Sequence, residues 1–219
     1  MPRFNVYKKG IIVLAAAVIT GGILWFAAGR SEQRQSAPES VDHLEQARNA
    51  SGTGDFAKAE EEYKKAFETK VPTAKEWSEL AYVYQMEQKK SEAISAYESA
   101  VRDGTDNAGV LNNLGNLYRD AGHYDKAEDY YKKAVTAGRG FSAAIVNLSH
   151  LYNIQQKYDE SVRLLLEYYQ GTAAQSEIGL QLISTYRAMG DLTQAKKTAQ
   201  AFLDLHPDNK QAAAIISQL

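Results

Sequence analysis

The chain contains no cysteine, which excludes disulfides, thiolate metal sites and cysteine nucleophiles and leaves the redox compartment open. It also lacks an excess of either charge. Its 25 Lys+Arg stand against 27 Asp+Glu, a formal net charge of -2, and a chain without a strongly basic face is not built to hold a phosphate backbone. Nucleic acid is thereby set aside as a partner. Catalytic signatures are missing too. The four histidines, His43, His123, His150 and His206, are scattered, with no metalloprotease motif, phosphate loop or nucleophile elbow to organise them. The sequence therefore implies no enzyme, no cofactor and no metal site. What remains is 219 residues of ordinary globular composition, 44% hydrophobic and 24% charged.

Residues 11–29, IIVLAAAVITGGILWFAAG, carry no charge. At about 1.5 Å per residue the run covers close to the roughly 30 Å of a bilayer core. It predicts a transmembrane helix. Arg3, Lys8 and Lys9 precede it and Trp25 lies near its far end, so residues 1–10 read as a short cytoplasmic leader. Arg30 and Arg34 follow the run, partly offset by Glu32, and count against this orientation. A cleavable secretory signal is the competing reading, because Ala27, Ala28 and Gly29 supply small residues at a signal-peptidase spacing. The run exceeds the usual apolar length of roughly 7 to 15 residues, which favours an uncleaved anchor. Either way the remainder is expected outside the cytoplasm, in the periplasm or at the cell surface. Residues 30–40, RSEQRQSAPES, are polar and aperiodic and read as a flexible linker with a reach of roughly 20 Å.

From residue 41 onward the sequence repeats itself. Ala59, Ala93, Ala127, Ser161 and Ala195 recur every 34 residues, as do Tyr84, Tyr118, Tyr152 and Tyr186. Nine of the 14 tyrosines occupy three positions of the period, where random placement would put roughly one. Each unit holds two helical stripes. In the third, Leu111, Leu114, Gly115 and Tyr118 follow one helical face, and after Gly122 a second stripe runs Tyr124, Ala127, Tyr131 and Ala134. Gly54, Gly122 and Gly190 recur at the turn between the two helices. Gly115 and Ala127 let the paired axes come close, and the tyrosines fill the volume between one pair and the next.

At these residues the chain resembles the tetratricopeptide repeat family. The family pattern appears as Trp77, Leu80, Ala81, Tyr84, Ala93, Tyr97 and Ala100 in the second unit. It reappears as Leu111, Leu114, Gly115, Tyr118, Ala127, Tyr131 and Ala134 in the third. The resemblance implies an all-α, right-handed superhelical solenoid over residues 41–219, with repeats at about 40–73, 74–107, 108–141, 142–175 and 176–207. Residues 208–219 would form a capping helix, started by Asp208 or Asn209 and presenting Ala212, Ile215, Ile216 and Leu219 to the stack. Three departures stand out: Ala50 in place of a tyrosine, Gln88 in place of the turn glycine, and Tyr168 where a small residue is usual.

The resemblance also implies that the first helices line a concave groove that takes a protein or peptide partner. The groove residues would be Tyr82, Met86, Asn112, Asn113, Asn116, Arg119, Asn147, His150 and Asn153, with Gln85, Val146, Ile154 and Gln181 beside them. Asparagine offers donors and an acceptor together, as an extended backbone requires. Asn113, Asn147 and Gln181 are similar to the amide ladders by which some family members grip peptides. A plain solvated helix surface is the competing reading. The clamp used for chaperone carboxyl termini does not fit, because its cations are missing: Ser78, Tyr82, Asn113, Ala143 and Asn147 stand in those places. The pairs Lys64-Lys65, Lys132-Lys133 and Lys196-Lys197 read as solvated outer faces of second helices.

The expectation is therefore a single-pass membrane protein displaying a repeat scaffold outside the cytoplasm. It would act as an assembly factor or chaperone-like accessory. The alternative is a permanent subunit of a large membrane complex, docked through its membrane helix or its convex face.

Overall fold

The computed structural model describes residues 41–170 and 176–218, and every regular element among them is helical. The membrane helix expected at residues 11–29 and the linker at 30–40 lie outside the described residues. Leu219 does as well. Within the described residues no helix is long and apolar enough to cross a membrane.

The chain divides into two compact units, with the boundary between Pro72 and Thr73. In the first, α1 (41–52) and α2 (Phe56–Thr69) form a hairpin. Leu44, Ala47 and Ala50 of α1 are buried, as are Ala59, Tyr63 and Ala66 of α2. The absent tyrosine at Ala50 thus leaves a small buried residue in its place. His43 and the buried carboxylate of Glu62 tie the two helices at 2.6 Å. The hydrogen bond from His43 and the Lys65 ammonium hold Glu62 below the usual carboxylate range, against the cost of its burial.

The second unit holds four helical pairs and a terminal helix. The pairs are α3 (Ala74–Met86) with α4 (Lys90–Arg102), α5 (Ala108–Asp120) with α6 (Tyr124–Ala137), α7 (Ser142–Ile154) with α8 (Tyr158–Tyr168), and α9 (Ser176–Met189) with α10 (Leu192–Leu205); α11 (Lys210–Ser217) follows. The first helices begin 34 residues apart. Helix starts are written in side chains. Thr73 and Glu76 form a reciprocal capping box on α3, and Asn107 and Asp191 cap α5 and α10. Asn209, not Asp208, caps α11, which buries Ala212 and Ile215 and half-buries Ile216.

The period governs the packing. Ala59, Ala93, Ala127, Ser161 and Ala195 are all fully buried, and so are Tyr63, Tyr97 and Tyr131. Gly115 explains why one of these positions stays small: a Cβ there would sit 2.7 Å from the Tyr131 ring. One period further on the same two positions hold Ser149 and Leu165, and then Ile183 and Ala199, all buried. Size lost on the second helix is regained on the first. In the last pair a large ring moves elsewhere on α10, so that Phe202 lies over Gly179, where an added Cβ would be 2.7 Å from the ring. Tyr124 departs from the expected stripe. It opens α6 one turn before Ala127 and is 36% exposed.

The turn inside each pair follows the same period. Gly54, Gly122 and Gly190 have φ of 82°, 77° and 85°, and the turn is unchanged where glutamine replaces glycine, at Gln88 (62°) and Gln156 (59°). The next N–H closes each turn onto the carbonyl five residues back, as from His123 to Tyr118 at 2.9 Å and from Lys157 to Tyr152 at 2.8 Å.

Candidate functional site: the wall of first helices

Within the second unit, α5 touches α7 and α7 touches α9, and no two second helices pack as closely on each other. The first helices α5, α7 and α9 therefore share one wall. The amides singled out in the sequence stand on it. The structure gives most of them a specific protein partner, which the sequence reading lacked.

Asn147 of α7 donates from Nδ2 to Asn112 Oδ1 of α5 at 2.9 Å. Asn112 is 7% exposed, so it lies beneath the wall and not on its surface. Asn113 donates to the Tyr97 hydroxyl at 3.2 Å, and that hydroxyl donates to Gln85 Oε1 at 3.2 Å. Asn116 accepts from the Tyr131 hydroxyl at 2.7 Å. Asn153 donates to Thr185 Oγ1 of α9 at 2.9 Å. Gln181 of α9 donates to Ser149 Oγ of α7 at 3.3 Å. Asn113, Asn116, Asn147, Asn153 and Gln181 are all half-buried. They are neither fully solvated nor fully engaged: Asn113, Asn116, Asn147 and Gln181 keep some of their hydrogen-bonding capacity for another group, whereas the unbonded Oδ1 of Asn153 is itself buried.

Beneath the α7–α9 part of the wall runs a buried hydroxyl chain. Ser149 and Ser161 are 2.7 Å apart, Ser161 and Thr185 3.3 Å, and Thr185 donates to the Gln181 carbonyl at 2.9 Å. All three hydroxyl residues are fully buried. Sequence reasoning passed over them. The available signal was Ser161, the one polar member of an otherwise alanine series, with Ser149 occupying the position of Ala81 and Gly115.

The remaining candidates divide by chemistry. Tyr82, Met86 and Ile154 are exposed at 44%, 41% and 44%, which leaves apolar contacts at both ends of the amide row. His150 is exposed. Arg119 turns onto Asp120 at 3.0 Å, so its charge is locally balanced. The middle of the wall therefore offers amides with little net charge.

The second helices are tied into the stack by tyrosine–carboxylate contacts. Tyr118 of α5 donates to Glu98 of α4 and stacks on Tyr130 at 5.6 Å, with the Lys126 ammonium 4.7 Å from the Tyr118 ring centre. Tyr152 of α7 repeats the contact one unit later, donating to Glu128 of α6 at 3.2 Å. Burial, the bond to Glu98 and its negative charge push the Tyr118 hydroxyl far above its usual range, and burial pushes Tyr131 up to about 12. Burial works against the charge on Glu128. Lys132, Lys157 and the Tyr152 hydroxyl outweigh it and hold that carboxyl below the usual range. Between α6 and α8 lies a furrow of about 480 Å³, lined in part by Val135, Leu148, Arg163 and Tyr168. It opens on the side of the second helices.

Comparison with known proteins agrees with this geometry. Models of the tetratricopeptide repeat match residues 44–108, 108–137 and 179–209, which together span more than half of the chain. No curated protein matches the sequence. Among solved structures, YrrB, described as a TPR protein with an unusual peptide-binding site, is 19% identical with a TM-score of 0.67, covering 88% of this chain and 97% of its own. A tetratricopeptide repeat protein from Parabacteroides merdae is 19% identical with a TM-score of 0.71, over 83% of this chain and 72% of its own. MamA is 17% identical with a TM-score of 0.69, over 78% and 93%. At these identities the likeness is one of fold. With the 34-residue period, the helical pairs and the family matches in agreement, the chain belongs to the tetratricopeptide repeat family.

Proposed function

We propose that this chain holds an extended, largely uncharged segment of a partner polypeptide against α5, α7 and α9. It would do so outside the cytoplasm, anchored to a membrane by residues 11–29. The observation that carries the reading is the row of half-buried amides, each tied by one end to its own fold. An amide pinned this way has already lost its rotamer freedom, so a new bond from its open valence costs less entropy. Each such bond contributes roughly 0.5–1.5 kcal/mol net, and several in register hold a backbone without reading much sequence. Tyr82, Met86 and Ile154 add apolar contacts where the partner's side chains would fall. The Arg119–Asp120 pair leaves no strong local charge to select a charged segment. The peptide-binding site named for YrrB belongs to that protein, and it supports this reading by fold alone.

The competing arrangement is a permanent subunit docked through its membrane helix or through the side of the second helices. The furrow between α6 and α8 favours that side as the alternative surface. Affinity purification from native membranes separates the two. Asn113→Ala with Asn147→Ala should reduce partner recovery at least fivefold, and Arg163→Ala should leave it unchanged. Loss with Arg163→Ala and retention with the asparagine pair would transfer the function to the second helices. Melting temperatures must be read in parallel, because Asn147→Ala also strips the buried Asn112 of its partner.

A further inference from the structure

The structure assigns Tyr97 and Tyr131 a task beyond packing: their hydroxyls set which atom of each neighbouring amide faces a bound chain. This rests on the groove reading above. Both rings are fully buried on second helices and fill the gap beside a small first-helix residue, as Tyr131 does against Gly115. The family pattern admits phenylalanine at this place. Packing therefore does not require the oxygen.

Each hydroxyl reaches the first-helix wall. Tyr97 has one proton, and it is committed to Gln85 Oε1 at 3.2 Å. Only a donor can then meet its oxygen, so Asn113 presents Nδ2 to it at 3.2 Å and turns Oδ1 away. Tyr131 works in the opposite sense. Its proton goes to Asn116 Oδ1 at 2.7 Å, which leaves the Asn116 Nδ2 hydrogens for another acceptor. Asn113 and Asn116 are three residues apart on α5 and so share a face. The pair offers one fixed acceptor beside one fixed donor. The edge of an extended polypeptide carries both N–H and C=O and satisfies both, whereas a carboxylate or a phosphate supplies acceptors only. Tyr97 and Tyr131 are thus positioning residues that select a backbone edge.

The test uses the full-length chain in detergent solution and a 12-residue peptide selected by display against it. Tyr97→Phe with Tyr131→Phe should weaken the peptide about tenfold, while the melting temperature stays within a few degrees. The decisive readout is the same pair of changes made in an Asn113→Ala, Asn116→Ala background. There neither hydroxyl has an asparagine left to orient, and their loss should have no further effect. An equal loss in both backgrounds, or no loss in either, overturns the assignment. If the peptide binds the Asn113→Ala, Asn116→Ala chain as well as the original, the groove reading itself fails and this inference falls with it.

Discussion

Gln88 and Gln156 occupy a left-handed turn that glycine holds at Gly54, Gly122 and Gly190. A residue with a Cβ pays roughly 1–2 kcal/mol for that conformation, and glycine returns part of the gain through its freer unfolded chain. Gln88→Gly and Gln156→Gly should therefore each stabilise the fold by about 0.5–1 kcal/mol, and the two should add. Urea unfolding followed by helical circular dichroism is the check. A midpoint that does not rise in either variant would mean the turn is unstrained at glutamine. The sequence already marked Gln88 as a departure in the turn. It could not show that the backbone keeps its shape there, because that is enforced by bonds such as Lys89 N–H to the Tyr84 carbonyl, made by main-chain atoms that every residue shares.

At the scale of the helices, the seams rest on tyrosines whose hydroxyls titrate late. Tyr97, Tyr118, Tyr131 and Tyr152 all lie above the ordinary tyrosine value near 10, with burial the first cause in each, and Tyr131 reaches about 12. The sign follows directly. An acid kept neutral in the fold loses no stability below the unfolded value near 10, and loses it as pH rises from there through about 12 and beyond. The urea midpoint should be flat from pH 7 to 9.5 and fall steeply by pH 11.5, with a smaller fall in Tyr131→Phe. A midpoint unchanged at pH 11.5 would contradict the burial of these hydroxyls. The helices and their register were legible in the sequence because small and aromatic residues recur every 34 positions. The hydroxyl chain of Ser149, Ser161 and Thr185 was not, since its members come from three helices and no spacing connects them.

At the scale of the molecule, the wall that closes the stack is also the surface proposed to meet a partner. Asn112, placed in the groove by its position in the repeat, is buried under Asn147 and contributes to the seam. Tyr82, Met86 and His150, by contrast, are exposed. Repeat position therefore told which side of a helix a residue occupies, but not how deep it lies. Depth depends on the neighbouring unit's side chains. The account turns on which wall meets a partner, and a photo-crosslinking amino acid placed in the native chain answers that directly. Installed in turn at Tyr82 and His150, it should yield partner adducts that are reduced by Asn113→Ala, and installed at Lys133 or Arg163 it should yield none. Adducts from Lys133 and Arg163 alone, insensitive to Asn113, would contradict the account.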